Sequence, residues 1–181
     1  MKGESVAENS LIKLRFTEEA DLAWVLETEG HPENRDYVYN WSRERHMACI
    51  ASENEAHFMV EGKPDLVPVG YVILSDLESQ HDVISFDRIT IREKGKGYGR
   101  QTVRLVTKLC FEEYKCHRLW LDVFDFNPQA RKLYESEGFV FEGTLRDCKK
   151  KDGNYLSMHV LSMLASEYES KKNNDTNEQS V

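Results

Sequence analysis

Residues 94–100, Lys-Gly-Lys-Gly-Tyr-Gly-Arg, combine three alternate glycines with three cations. Glycine lets the backbone turn tightly and present its N–H groups with no side chain in the way. A helix beginning at this turn would add unpaired N–H groups and the positive end of its dipole. Gly95, Gly97 and Gly99, with Tyr98 between the last two, therefore make a turn suited to an anion, most naturally a phosphate or pyrophosphate. Lys94, Lys96 and Arg100 add positive charge at the same place. No Gly-Lys-Ser/Thr closes the turn, so it is not a nucleoside-triphosphatase loop. Nor is it the dinucleotide fingerprint, which needs two residues between its second and third glycines.

Such a turn must sit between a strand and a helix. Residues 83–91 are rich in β-branched side chains and predict the strand. Val103, Val106, Leu109 and Cys110 recur at helical spacing and predict a helix from about Tyr98 to about Tyr114. Upstream, residues 11–16 alternate as a first strand, and Thr17 followed by Glu18, Glu19 and Asp21 predicts a capped helix start. Leu22, Val25 and Leu26 supply its buried stripe, and Gly30-His31-Pro32 ends it. A second short helix is predicted through Tyr37 and Trp41 to about Cys49. Strands follow at 57–61 and 67–74, then a charged turn at 76–82. Residues 117–126 predict a strand covered on both faces. Asn127 before Pro128 predicts a helix cap, because the amide accepts an orphan N–H and proline there sacrifices no hydrogen bond. Gly138 supplies the left-handed stop. Residues 139–143 and 156–164 predict two last strands around an exposed basic turn at 149–154.

The chain has 181 residues and a formal charge of -8, enough for one domain with a proper core and the wrong sign for a general nucleic-acid binder. An acidic protein is compatible with a cationic substrate such as an amine. Cys49, Cys110, Cys116 and Cys148 show neither Cys-x-x-Cys nor zinc-like histidine spacing, which predicts reduced thiols in a cytoplasmic protein without a metal. No signal peptide or membrane span is evident, so no membrane partner is expected. The expected division is a flexible N-terminus at 1–10, one domain at 11–168 and a disordered polar tail at 169–181.

The spacing Lys94-x-x-Gly97-x-Gly99 resembles the Q/R-x-x-G-x-G/A motif of the GNAT acetyltransferase superfamily, although lysine lacks the planar fork of arginine. Asn127-x-x-Ala130-x-x-x-Tyr134-x-x-x-Gly138-Phe139 resembles a second segment of the same superfamily. The two motifs fall in the family's order, each on its predicted element, and the resemblance covers residues 11–167. The C-terminal half looks like the branch that includes ribosomal-protein and polyamine acetyltransferases. The resemblance implies an α/β single-domain fold, a mixed central sheet of about six to seven strands flanked by about four helices.

It also implies roles. Acetyl-CoA would be the co-substrate, with its pyrophosphate on the amides of residues 95–100 and its pantetheine arm along the backbone of Ile89, Thr90 and Ile91. The segment after Ile91 is shorter than in many relatives, so the pantetheine register is open by one residue. Asn127 would touch the pantetheine besides capping its helix. A backbone N–H at a bulge in this strand would polarise the thioester carbonyl. A lysine-like amine has a reference pKa of about 10.4, so attack near neutrality needs a base. Asp87, the acid on the strand before the loop, is the candidate base, with Asp76, Glu78, His159 or an ordered water as alternatives. Tyr134 would give a proton to the departing thiolate. Glu27, Glu29, Glu33, Asp36, Tyr37, Tyr39 and Trp41 fall where the family borders its acceptor pocket. The implied activity is acetyl transfer to a primary amine (a polyamine, an amino-acid-like molecule or a protein N-terminus) by direct attack on the thioester. A non-catalytic acyl-CoA-binding module and an unrelated phosphate-binding protein are the alternatives, and a homodimer is compatible with the sequence.

Overall fold

The computed structural model describes residues 5–178. Eight strands form: β1 (Ser5–Glu8), β2 (Ile12–Phe16), β3 (Glu55–Gly62), β4 (Val67–Ser75), β5 (Val83–Ile91), β6 (Arg118–Phe124), β7 (Val140–Lys151) and β8 (Asn154–Leu164). The helices are α1 (Leu22–Gly30), α2 (Arg43–Ala51), α3 (Tyr98–Lys108), α4 (Pro128–Ser136) and α5 (Ala165–Glu178). The strands make one sheet in the order β1-β2-β3-β4-β5-β6-β8-β7. Every neighbouring pair is antiparallel except β5 with β6, which are parallel. Parallel neighbours need a long crossover, and α3 with the glycine turn before it provides one.

Alternation along the strands divides the core. Phe58, Val72, Leu119, Leu121 and Val123 point to one face, where Val103 and Val106 of α3 and Tyr134 of α4 complete the larger cluster. Met59, Tyr71 and Ile73 point to the other face and meet Val25 of α1 and Cys49 of α2. Along β6 the face of Leu119, Leu121 and Val123 is buried, and on the other face Phe124 is buried while Trp120 and Asp122 are half-buried, so both faces are covered, the second less completely.

The sheet has one strand more than the upper expectation, and there are five helices rather than four. The extra strand is β1, within the stretch expected to be flexible; residues 1–4 lie outside the described part. The tail expected to be disordered continues α5 through Glu178, with 179–181 outside the described residues. The anchors of α5 are distant in sequence: Tyr168 stacks on Phe111 at 4.9 Å, and Lys171 Nζ donates to the Glu137 carbonyl at 2.7 Å. Residues 37–41 are not helical; α2 begins after Ser42, whose Oγ accepts from the Arg45 N–H. Thr17 does not cap α1. Its hydroxyl bonds His57 Nδ1 at 2.8 Å, while Glu18 and Asp21 cap a short turn at Glu19–Asp21.

Candidate active site

Strands β5 and β6 pair only at Val83–Arg118, Ile84–Leu119 and Ser85–Trp120. On its other side β5 stays paired with β4, but between Ser85 and Arg88 it carries one residue more than β4 does between Ile73 and Ser75. That is a β-bulge at Phe86–Asp87, and bulges bend a strand and re-aim its side chains. Here the two strands part, and a cleft of about 1470 Å³ opens between them. Its walls come from residues 85–91 of β5, the glycine turn, Trp120 and Asp122 of β6, the start of α4, and residues 32–41. Beyond Ser85 the β6-facing edge of β5 has no strand partner, so the backbone of Ile89, Thr90 and Ile91 lies open to an extended ligand.

At one end of the cleft, Gly95 and Gly97 have φ of 76° and 82°, values that disfavour any side chain. Gly97 caps α3, and its carbonyl receives the Gln101 N–H at 3.1 Å. The N–H groups of Tyr98, Gly99 and Arg100 thus begin the helix without intrahelical acceptors. A Cβ on Gly99 would meet Leu133 at 3.7 Å and Ile91 at 3.9 Å, ordinary contacts, so the fold itself does not demand glycine there. The cations are less free than their spacing suggested. Lys94 Nζ donates to Asn34 Oδ1 at 2.7 Å, and burial pushes its pKa down. Lys96 pairs with Glu93 and does not line the cleft. Arg100 donates to Glu137 and to Ser136 Oγ at 3.0 Å. The backbone therefore carries most of the anion site, which fits a phosphorylated ligand running from this turn along β5. Asn127 Oδ1 accepts the Ala130 N–H at 3.1 Å, as its cap role requires, and also lines the cleft.

Tyr134 of α4 is 7% exposed and lines the same cleft. Burial, with the Asp122 charge adding to it, pushes its hydroxyl well above the ordinary tyrosine value, so it holds its proton at neutrality. Asp87 accepts from Ser85 Oγ. Loss of water raises its carboxyl, hydrogen bonds from Ser85 and Ser75 oppose the rise, and Asp76 and Glu55 add to it. Asp122 is raised by burial, lowered by Lys149 and raised again by Asp87. Sequence reasoning missed Asp122. Alternation put it opposite the core face of β6, but only the register of β6 against β5 shows that it neighbours Asp87. Of the alternative bases, none lines the cleft; His159 Nδ1 is bonded to Thr144 Oγ1 at 2.9 Å.

The acids expected near the acceptor divide. Glu27 pairs with Arg92. Glu29 is 1% exposed and accepts from Tyr71 Oη at 2.6 Å, from the Trp41 N–H at 3.1 Å and from Arg88, so it is not available to a ligand. Glu33, Asp36, Tyr37, Tyr39 and Trp41 do line the cleft. The basic turn also reaches it: Lys149 lines the wall, and Lys151 Nζ donates to the Arg35 carbonyl at 2.5 Å.

A domain with this parted pair of parallel strands, an anion turn at the crossover helix and a buried tyrosine facing them is built for group transfer from a phosphorylated donor. The sequence matches the model of the acetyltransferase (GNAT) family over residues 15–139, and the chain belongs to that family. It is 35% identical to the spermine/spermidine N(1)-acetyltransferase of Bacillus subtilis, over 74% of this chain and 91% of that one. It is 28% identical to the spermidine N(1)-acetyltransferase of Vibrio cholerae, over 88% of this chain and 96% of that one. The solved structure of the Vibrio cholerae spermidine N-acetyltransferase in complex with CoA and spermine superposes with a TM-score of 0.79 at 27% identity, covering 88% of this chain and 99% of that one. The protein is an acetyl-CoA-dependent N-acetyltransferase acting on a primary amine.

Proposed function

We propose that the acceptor is a polyamine, with Asp87 and Asp122 on the acceptor side of the reacting atoms and Tyr134 on the donor side. The observation that carries this reading is the pair of carboxyls opening into the cleft beside the buried tyrosine, under an acidic rim of Glu33 and Asp36. An alkylammonium is drawn to such a cleft, and a carboxyl whose pKa is raised is a better proton acceptor once ionised. Names of the most similar relatives support the same acceptor class.

Bound acetyl-CoA supplies an acetyl thioester. The N–H groups of residues 98–100 hold its pyrophosphate, and the open edge of β5 holds its pantetheine. Asp87, helped by Asp122, takes a proton from the ammonium. The neutral nitrogen forms its bond to the acetyl carbon, the C–S bond breaks as the sulfur takes the proton of Tyr134, and the proton that the nitrogen sheds in becoming an amide restores the tyrosine hydroxyl. A backbone N–H at the Phe86–Asp87 bulge would donate to the negative charge that develops on oxygen. A homodimer, which the sequence allows, has a surface to use: β7 is the last strand of the sheet, with Val140, Phe141 and Leu145 exposed.

An acceptor screen by thiol release, spanning polyamines, amino acids, aminoglycosides and N-terminal peptides, tests the acceptor. Spermidine or spermine should give the highest kcat/KM. A peptide N-terminus or an aminoglycoside outranking both would contradict the reading.

A further inference from the structure

The buried charge beneath the cleft has a geometry that stability alone does not explain. Arg88 of β5 donates through Nη1 to Glu29 of α1 and through Nη2 to the Tyr39 carbonyl at 2.6 Å. Glu29 in turn accepts the Trp41 N–H at 3.1 Å. An ion pair rooted in a strand and a helix thus grips two backbone groups, two residues apart, in a segment with no regular structure of its own. The Trp41 ring is held as well, with the Arg45 guanidinium 3.9 Å and the Arg88 guanidinium 4.6 Å from its centroid.

A chain of side chains backs the carboxylate. Tyr71 Oη donates to Glu29 at 2.6 Å, and His46 Nε2 lies 3.2 Å from the same oxygen, though its N–H is poorly aligned. His46 Nδ1 meets His57 Nε2 at 3.1 Å, and His57 Nδ1 meets Thr17 Oγ1 at 2.8 Å. Thr17, His57 and His46 thus form a continuous line of contacts that ends at the Glu29 carboxylate. Burial and the neighbouring charges hold His57 at a pKa of about 3, so it stays neutral.

A buried Arg–carboxylate pair gains a fold little over apolar side chains of the same volume. What this pair fixes is residues 39–41. Tyr39 is thereby held against Phe124 at 5.6 Å, with its ring in the cleft wall and its hydroxyl buried without a partner. An unpartnered buried hydroxyl costs free energy until a ligand supplies the missing bond.

We infer that Glu29 and Arg88 are positioning residues of the acceptor site, which hold Tyr39 so that its hydroxyl binds the incoming amine. The inference rests on the reading of the cleft as the amine site. Tyr39 sets how well an acceptor binds, and the clamp acts through it.

Arg88→Lys keeps the charge, but a single ammonium lacks the fork that reaches both Glu29 and the Tyr39 carbonyl. It should raise the acceptor KM about tenfold, the loss of one charge-assisted hydrogen bond, and leave the acetyl-CoA KM in place. Tyr39→Phe should raise the same KM, and the double variant should be no worse than the weaker single one. Amide exchange of residues 36–41 should be faster in Arg88→Lys with no substrate present. Unchanged exchange, a matching rise in both KM values, or additive effects would each overturn the inference. Should Arg88→Lys fail to fold, Tyr39→Phe decides: an unchanged acceptor KM overturns it. If the wild type ignores polyamines and acetylates another amine, the proposed acceptor fails while this test stands with that amine.

Discussion

Asp87 on β5 and Asp122 on β6 each stand two residues beyond Ser85 and Trp120, the last pair joining these parallel strands. The strands diverge there, so the two carboxyls face the cleft rather than a hydrogen-bonded ladder. Asp87 helps raise Asp122, and Asp122 helps raise the Tyr134 hydroxyl. The proposed base side and acid side of the reaction are electrostatically linked through β6.

Tyr134→Phe removes the proposed proton donor and leaves the ring in its pocket against Phe139. Turnover should fall by about 10²–10³, within the range of general acid catalysis, while calorimetry should show CoA binding almost intact. Unchanged turnover would remove Tyr134 from the chemistry.

The aspartates make a prediction about pH. Both carboxyls are raised above the ordinary range, and the ionised form is the proposed base. The acid limb of kcat/KM should therefore lie above an ordinary aspartate, about 3.9. Asp87→Asn should lower the rate and abolish that limb.

Stability should move the other way. A carboxyl raised on folding binds its proton more tightly in the native state, so its contribution is present below the unfolded pKa and lost as pH rises through the folded one. Asp122→Asn should accordingly raise Tm near neutral pH, and not at pH values below the ordinary aspartate range, while slowing catalysis. Equal Tm changes at both pH values would show that burial of this carboxyl is not what the substitution relieves.

The glycine turn separates fold from ligand. Gly97→Val forces a β-branched residue to a φ of 82°, a strain of about 1–3 kcal/mol, and should abolish CoA binding. The Cβ of Gly99→Val meets Leu133 and Ile91 only in ordinary contact, at 3.7 Å and 3.9 Å, so unfolding should change little while CoA affinity falls. Full affinity in Gly99→Val would mean that the donor does not approach this backbone.

Local signals made the donor side legible. Gly97 at positive φ, Asn127 capping α4 and Tyr134 on its buried face follow from chemistry within a few residues. What the sequence could not show depends on distant partners. Glu29 reads as one more surface acid until Arg88, 59 positions away, turns it inward. Arg100 reads as a free phosphate ligand until Glu137 takes its guanidinium. Tyr37 and Trp41 fall in a stretch that reads as helical, yet the backbone there is held by Arg88 and Glu29 instead of by its own ladder. Asp122 needed the strand order. The tail looked too polar to fold, yet α5 runs into it and is tied back by the Tyr168 stack and by Lys171 and Lys172.

The most direct test is thiol release from acetyl-CoA with and without spermidine or spermine, in wild type and Tyr134→Phe. The account predicts strong acceleration by a polyamine in the wild type and its loss in the variant. Binding of CoA with no acceleration by any polyamine would contradict it.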